Sequence, residues 1–522
     1  MEQNTIFSDE EVLRVAQETF HIPQLYPWQR LAIANILDAA ANEESPYRHQ
    51  IVLLPTGAGK SLCFLLPALL LDGPTLIIYP LLALMTDQER RIRGAGIKSV
   101  TFRGGQTAEE REECFRQLAD GAKLIIANPE VLQGERLVER LASCRIAHIA
   151  IDEAHCVSEW GDSFRPSYLA LGELIKKLHA GVVTAFTATA SPRVLKRVGE
   201  VLFDGTASIL RGKADRPNIC YHVINCYDKK KEALRLSLTE EKPQLIFCGT
   251  RNKAEDMARE IAAYRGDDAV RFYHAGLTRQ EKNAIENWFY PKADGILCAT
   301  VAFGMGVDKK DIRTVIHLEA SSTVEAYVQE AGRAGRDHGR ANAYLLWSYT
   351  DSQTASPFAR RYAESKTCRR QFLLDELGGE KVTCSGCDIC MRHSPAPFAR
   401  DAELALSFIR SHRKLYDKGE LAEQLIRLFN RTDAALYHAH VWEHSDIDCI
   451  LGQLTAAGLI RSCRFPWQGK IAASRLGAIT LRHRQLLPPL PRVLAEAEGQ
   501  QPSFSSAPSP FSYSPQRNWR AQ

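Results

Sequence analysis

Along roughly the first 340 residues, short apolar runs rich in β-branched side chains alternate with stretches whose apolar positions recur at helical spacing. The runs IVLLP (51–55), TLIIYP (75–80), KLIIANP (123–129), HIAIDEA (148–154) and VVTAFTATA (182–190) are each followed by a helical segment. Uninterrupted runs of this kind predict strands buried on both faces, and the helices between them predict a parallel sheet covered on both sides. The rhythm restarts after residue 215 with QLIFCGT (244–250), VRFYHAG (270–276), GILCATV (295–301) and TVIHLEA (314–320). Two α/β lobes in series are therefore expected, joined near Phe203–Asn218, rather than one large sheet.

The texture changes at about residue 351. A helical, cysteine-bearing stretch runs to about 397, and further helical patterns run from Ala402 to Leu481. Within these, HSDIDCILGQLTAAGLI reads as a helix closing on Gly458, and FPWQGKIAASRLGAITL as a short strand–turn–strand. Helices followed by a β-ribbon suggest a winged helix-turn-helix domain. Beyond about Leu486 the chain is rich in Pro, Ser and Gln and is expected to be disordered.

Length adds that 522 residues suffice for three or four compact domains. No apolar run reaches the roughly 18 residues that span a bilayer, and the N-terminal MEQNTIFSDEEVLRVAQ is too polar and acidic for a secretory signal. No membrane partner and a cytoplasmic location are the expectations. The net charge of +4 says little, but residues 451–522 carry nine Lys/Arg against two Asp/Glu, which suggests either a solvated basic tail or a phosphate-contacting face. Of the fourteen cysteines, most sit singly in apolar segments, as Cys63, Cys220 and Cys298 do.

The loop after IVLLP is Thr56-Gly57-Ala58-Gly59-Lys60-Ser61, opening a helical stretch. Such a loop bares its backbone N–H groups to a β-phosphate lying at the helix N-terminus. Lys60 is expected to neutralise the β- and γ-phosphates and Ser61 to ligate Mg²⁺, although Leu54 replaces the first glycine of the general pattern. HIAIDEAH ends a buried strand in Asp152 and Glu153, at the carboxyl edge where such sheets bind ligands. Asp152 can hold Mg²⁺ and Glu153 can polarise an attacking water. In QEAGRAGRD (329–337), Arg333 and Arg336 are three apart and project from one face, suited to stabilising charge on a γ-phosphate from the second lobe. Nucleotide hydrolysis is the expected chemistry. Cys384, Cys387 and Cys390 in CSGCDIC are too crowded for independent core cysteines, and Cys368 completes a tetrahedral set for a structural zinc ion. Disulfides are the competing reading, a poor one in a reducing cytosol.

These residues, in this order, resemble superfamily-two helicases, and the details narrow the resemblance to the RecQ family. DEAHCVSEWGDSFRPSY (152–168) looks like the family's DEAH box running into its aromatic-rich loop. ADRPN (214–218), FYHAGL (272–277), ATVAFGMGVDK (299–309) and YVQEAGRAGRD (327–337) resemble later family motifs, and CRRQFLLDELG (368–378) with CSGCDIC (384–390) resembles its zinc module. The resemblance covers about residues 12–395 and extends weakly to about 482. It implies two tandem RecA-like lobes, a zinc module and a winged helix gripping duplex DNA. It also implies ATP- and Mg²⁺-dependent unwinding of DNA from 3′ to 5′. In the aromatic-rich loop, Trp160, Phe164 and Tyr168 would offer stacking faces to single-stranded DNA and Arg165 would reach phosphate. Glu159, Asp162 and Ser163 stand where the family usually has Gln, His and Asp, and the first two add negative charge beside that path. At the base of ATP, FHIPQLYPWQ (20–29) keeps Gln29 to read the adenine edge, while Ile22 replaces the usual stacking Tyr and Tyr26 replaces an Arg. Tyr26 is expected to take over stacking. Arg461, Arg464, Trp467 and Lys470 are the expected wing contacts. Many family members carry a further helical HRDC domain, which the Pro/Ser-rich residues here are not expected to form.

The expected organisation is lobe one over 1–205, lobe two over 206–350, a zinc module over 351–398, a winged helix over 399–483 and a tail over 484–522. Single-stranded and duplex DNA, with a single-strand-binding protein as a further partner, would be engaged by a monomer. An RNA helicase sharing the same core, or a DNA-binding scaffold with a weakened motor, are the competing readings.

Overall fold

A computed structural model describes residues 7–55, 57–80, 82–159, 166–304, 309–391, 397–437 and 441–482. The first half forms strands β1 (His49–Leu53), β2 (Thr75–Ile78), β3 (Ser99–Thr101), β4 (Leu124–Ala127), β5 (His148–Ile151), β6 (Val182–Thr187) and β7 (Ser208–Arg211). They make one seven-stranded sheet in the order β3-β4-β2-β5-β6-β1-β7, with every pairing parallel. The unalternating apolar runs are explained by burial on both faces. Ile51 and Leu53 of β1 point into one helical layer, and Val52 with the following Leu54 into the other, as the two-residue strand period requires. Each such side chain stabilises the fold by about 1.5–3 kcal/mol. Because β7 pairs with β1, the first sheet runs to Arg211, past the expected boundary at 205.

The second sheet holds β8 (Ile219–Asn225), β9 (Gln244–Phe247), β10 (Val270–Tyr273), β11 (Ile296–Ala299), β12 (Thr314–His317) and β13 (Ala341–Trp347), in the order β10-β11-β9-β12-β13-β8 and again all parallel. Helices Arg251–Arg265, Arg279–Phe289 and Val324–Ala331 open at Thr250, Thr278 and Thr323, whose hydroxyls accept the N–H of the third following residue. Each cap is worth about 1 kcal/mol.

The C-terminal unit comprises helices Pro397–Ser411, Lys418–Tyr437 and His444–Ala456 and an antiparallel ribbon of β14 (Ile460–Ser462) and β15 (Ile471–Ala473). Ala405, Leu425, Phe429, Ile447 and Leu454 join one apolar core with Ile224, Tyr227 and Leu236 of lobe two. Helix His444–Ala456 ends as expected at Gly458, whose φ of +67° suits glycine. The ribbon's register differs from the expected one. Its first strand precedes Phe465, and residues 475–482 are a helix rather than a strand. The reason is local: the Ser474 hydroxyl accepts the Gly477 N–H at 3.0 Å, capping that helix. Among the described residues, no helix is long and apolar enough to cross a membrane.

Candidate functional site

In the first sheet β6 lies between β5 and β1, so the segments leaving the carboxyl ends of these three strands meet at one edge. The loop after β1 carries Lys60 at the start of the helix Lys60–Leu70, and β5 runs directly into Asp152 and Glu153. Lys60 Nζ lies 3.4 Å from Glu153 Oε1, both side chains mostly buried. Asp152 is held to β2 through its N–H to Ile78 O at 3.0 Å, and its carboxylate accepts the Glu153 N–H at 2.9 Å. Glu153 adopts φ +49°, a left-handed conformation that costs a non-glycine residue about 1–3 kcal/mol and is retained where function requires it. Burial and the Glu153 charge push the Asp152 carboxyl up, against the pull of Lys60. Burial also raises Glu153, but Lys60, His155 and Arg333 outweigh it and hold that carboxyl below the usual range. The two acids are thus driven apart, Glu153 toward its ionised form and Asp152 toward its protonated one unless a cation offsets the Glu153 charge.

Sequence reasoning assigned no role to His155 or Thr187. His155 Nδ1 lies 3.1 Å from Thr187 Oγ1 and 3.4 Å from Glu153 Oε2, and the Thr187 hydroxyl donates to Thr189 O at 3.1 Å. The signal was present in the final His of HIAIDEAH and in the polar threonines at the end of β6.

Gln29, Tyr26 and Trp28 flank the phosphate loop. Gln29 is buried, its Oε1 accepting the Tyr26 N–H at 2.9 Å and its Nε2 donating to Ala58 O at 3.1 Å. Gly57 and Gly59 both have positive φ, and a Cβ at Gly59 would collide with Gln29 Nε2. Trp28 Nε1 reaches the same Ala58 carbonyl at 3.4 Å, and the Tyr26 ring stacks on Trp28 with centroids 4.9 Å apart. Tyr26 remains 51% exposed, leaving ring surface open to solvent. Ser61 sits at the helix start beside Lys60, while Thr56 lies outside the described residues.

From the second lobe, Arg333 follows the helix Val324–Ala331 and is only 3% exposed. Burial and Arg336 press its pKa down, against the attraction of Glu330 and of Glu153 across the cleft. Arg336 lies one turn further on. The loop that carries both arginines is gripped by ADRPN: Arg216 donates to the carbonyls of Gly332, Ala334 and Gly335 at 3.0–3.1 Å, and Asn218 to those of Gly335 and Gly339 at 2.8 and 2.9 Å. These two residues were quoted as motif but given no task, because nothing in sequence ties 216 to 335.

The Sγ atoms of Cys368, Cys384, Cys387 and Cys390 all lie within 4.8 Å of one another and all four thiols are free. Zinc–sulfur bonds of about 2.3 Å put tetrahedral sulfurs about 3.8 Å apart, so a cluster of this spread fits zinc. Cys390 N–H points at Cys387 Sγ (3.4 Å) and Gln371 N–H at Cys368 Sγ (3.5 Å), the donors a thiolate favours. Burial raises the Cys387 thiol, but the backbone N–H groups of Cys390 and Arg369 and the neighbouring Cys390 and Cys384 thiols bring it below its ordinary value.

The expected DNA contacts fare unevenly. Trp160, Phe164 and Arg165, with Asp162 and Ser163, lie outside the described residues. Tyr168 is packed in the core of lobe one and offers no stacking face. Arg461 and Arg464 are exposed on the ribbon and its turn, beside Phe465, which is 89% exposed. Lys414 Nζ sits 3.5 Å above the Trp467 ring. Lys470 is ion-paired with Glu420 at 2.8 Å and Asp417 at 3.7 Å, so a phosphate would have to displace those acids.

Two parallel-sheet lobes with Lys60, Asp152 and Glu153 on one side of a cleft and a buried arginine on the other define the superfamily-two helicase class. Residues 26–198 match the DEAD/DEAH box helicase family and residues 228–338 the helicase conserved C-terminal domain. The ATP-dependent DNA helicase RecQ of Bacillus subtilis (strain 168) is 30% identical over 429 residues, covering 76% of this chain and 72% of that protein. That of Pasteurella multocida (strain Pm70) is 33% identical over 366 residues, covering 66% and 58%. The chain belongs to the RecQ family. It spans about three-fifths of the length of the first relatives it matches, 58–60%. Its fold is shared with the helicase MrfA bound to DNA and AMPPNP, at a TM-score of 0.56 and 18% identity over 90% of this chain and 62% of that one. It is shared equally with Mss116 bound to single-stranded RNA and UDP-BeF, at 0.56 and 16% over 90% and 95%.

Proposed function

We propose that this chain is an ATP-dependent DNA helicase that translocates 3′ to 5′ along one strand. The observation that carries the reading is the convergence of Lys60, Asp152 and Glu153 from lobe one with Arg333 from lobe two. In this reading Gly57, Ala58, Gly59 and the adjoining Thr56 cradle the phosphates, with Lys60 against the β- and γ-phosphates. Ser61 and Asp152 would hold Mg²⁺, which neutralises phosphate charge. Glu153 takes the proton of the attacking water, and Arg333 and Arg336 stabilise the charge that develops on the γ-phosphate. Closure on ATP and reopening after hydrolysis ratchet single-stranded DNA across the lobes.

Cys368, Cys384, Cys387 and Cys390 would bind a structural zinc ion that braces lobe two. The C-terminal unit acts as a winged helix that holds duplex, with Arg461, Arg464 and, once released from Glu420, Lys470 on phosphate. Helix His444–Ala456 carries Asp446 and Asp448 and no Lys or Arg, so the ribbon rather than this helix is the phosphate-seeking element. The zinc cluster and this unit favour DNA over RNA as substrate. We place the protein in the cytoplasm of a bacterium, on the nucleoid, working as a monomer alongside a single-strand-binding protein.

The test is strand separation with ATP on two duplexes, one tailed at 3′ and one at 5′, with Lys60→Ala as control. Unwinding of the 3′-tailed duplex alone, lost in the control, is expected. ATP hydrolysis without unwinding of either would overturn the reading in favour of a scaffold or another nucleic acid.

The base of the nucleotide is assigned to the open face of Tyr26. Tyr26→Ala should weaken ATP and GTP binding alike, by about 1–3 kcal/mol for a lost stack. Equilibrium titration that finds no loss for either nucleotide removes Tyr26 from the site.

A further inference from the structure

A helix N-terminus leaves backbone N–H groups without intrahelical partners, and a capping box satisfies the N-cap's own N–H with a Glu or Gln three residues on. The helix Pro192–Phe203 in lobe one follows half of this rule. Ser191 is its N-cap, and the Ser191 hydroxyl accepts the Val194 N–H at 3.4 Å. The residue at the third position is Val194, which has no acceptor to return. The missing acceptor comes from the other lobe: Ser191 N–H donates to Glu325 Oε1 at 2.9 Å. Glu325 lies in the first turn of Val324–Ala331 and is 4% exposed.

Three further contacts make this junction more than a surface touch. The zinc-bearing segment meets lobe one at the same spot, because Gly378 (φ +65°) lies against Pro192, where an added Cβ would come within 3.0 Å of Pro192 Cγ. Arg211 of β7 donates to the carbonyls of Leu377 and Gly378 beside it. Behind the junction runs the polar chain Glu153–His155–Thr187–Thr189 O, two residues short of Ser191. Ahead of it, the eight-residue helix that begins with Val324 and Glu325 ends just before Gly332 and Arg333. One rigid arm of about 12 Å, at 1.5 Å per residue, therefore joins the junction to the buried arginine.

We infer that Glu325 is a positioning residue, completing in trans the capping box of lobe one so that the Ser191–Glu325 bond is the pivot that sets where Arg333 meets the nucleotide. The inference rests on the nucleotide-cleft reading above. A pivot adds little to ground-state binding of ATP but decides the geometry in which charge is stabilised. Glu325→Ala should lower kcat for ATP about tenfold, the worth of one charge-assisted hydrogen bond, while nucleotide Kd moves by no more than about twofold. Glu325→Gln keeps an amide oxygen at the same place and should recover most of the rate. In the nucleotide-free full chain, hydrogen exchange at the Ser191 amide should quicken in Glu325→Ala and stay slow in Glu325→Gln.

The pivot is overturned if Glu325→Ala turns over ATP like the unaltered chain, or if Glu325→Gln is as slow as Glu325→Ala while its Ser191 amide stays protected. Glu325→Gln is near-isosteric, so it decides the matter even if the alanine variant melts early. An unaltered chain that fails to hydrolyse ATP would sink the nucleotide reading instead. The Ser191 exchange, which needs no ATP, would still decide whether Glu325 joins the lobes.

Discussion

Glu153→Gln is expected to cut ATP turnover by about 10³, within the range of 10²–10⁴ for removal of a positioned general base. The amide keeps the size of the side chain and can still approach Lys60 but cannot take a proton. The structure explains why Glu153, rather than its neighbour, suits the role of base. Lys60, His155 and Arg333 all favour its ionised form, whereas burial and Glu153 itself favour the protonated form of Asp152. The same asymmetry gives a pH dependence. With its pKa raised, Asp152 increasingly carries a proton as pH falls below neutrality. A cation that needs its carboxylate must then compete with that proton. Half-saturating Mg²⁺ for ATPase should therefore rise as the solution is acidified. Asp152→Asn should raise it at every pH and flatten the trend. Steady-state ATPase across Mg²⁺ and pH series checks both. A Glu153→Gln chain that hydrolyses ATP at the unaltered rate would remove the base from this site, and a Mg²⁺ requirement indifferent to pH would remove Asp152 from the metal.

Much of this cleft was legible in sequence because its parts are short and local. A glycine loop between a buried strand and a helix, or two acids at the end of another strand, declare their chemistry within a few residues. What sequence could not supply was the pairing of distant parts. Arg216 grips the carbonyls of residues 332, 334 and 335, and Glu325 reaches Ser191; the acceptors in one case and the donor in the other are backbone groups that any residue carries. The ribbon was misread for a related reason. IAASRLGAITL has enough β-branched and small residues to pass as a strand, and only the cap from Ser474 turns its second half into a helix. Tyr168 shows the opposite failure, since an aromatic next to a proposed DNA path is equally good core material, and burial decided for the core.

Cys387→Ser is expected to abolish zinc binding by the cluster and to lower the melting temperature by about 3–5 °C, as follows from a loss of about 3–5 kcal/mol against the large unfolding entropy of a chain of this length. Cys387 is the buried member of the four, and the chain around it is stitched to lobe two rather than free. It bridges to Tyr221 of β8, Asp388 N–H donates to Tyr221 O at 3.1 Å, and the Asp388 carboxylate accepts the Val223 N–H at 3.1 Å. The same carboxylate pairs at 3.1 Å with Arg369, itself buried and adjacent to Cys368. Arg370, the next residue, pairs with Asp215 and donates to Ser385 Oγ at 2.5 Å, tying the cluster to ADRPN itself. The three thiols left without a shared cation would lose what holds them together, and their relaxation would pull Asp388 from Arg369. A buried ion pair is costly chiefly when it is broken on one side, which is why the loss should exceed that of a cysteine deleted elsewhere. Cys144→Ser, at a thiol far from the cluster in sequence, should leave both zinc and melting temperature unchanged. Metal content by mass spectrometry and thermal unfolding by fluorescence measure the two effects. Because Arg216 and Asn218 of the same segment hold the loop of Arg333, loss of zinc should also slow ATP turnover in protein that is still folded. Zinc-free Cys387→Ser with an unchanged melting temperature and ATPase would show that the cluster is not what braces lobe two.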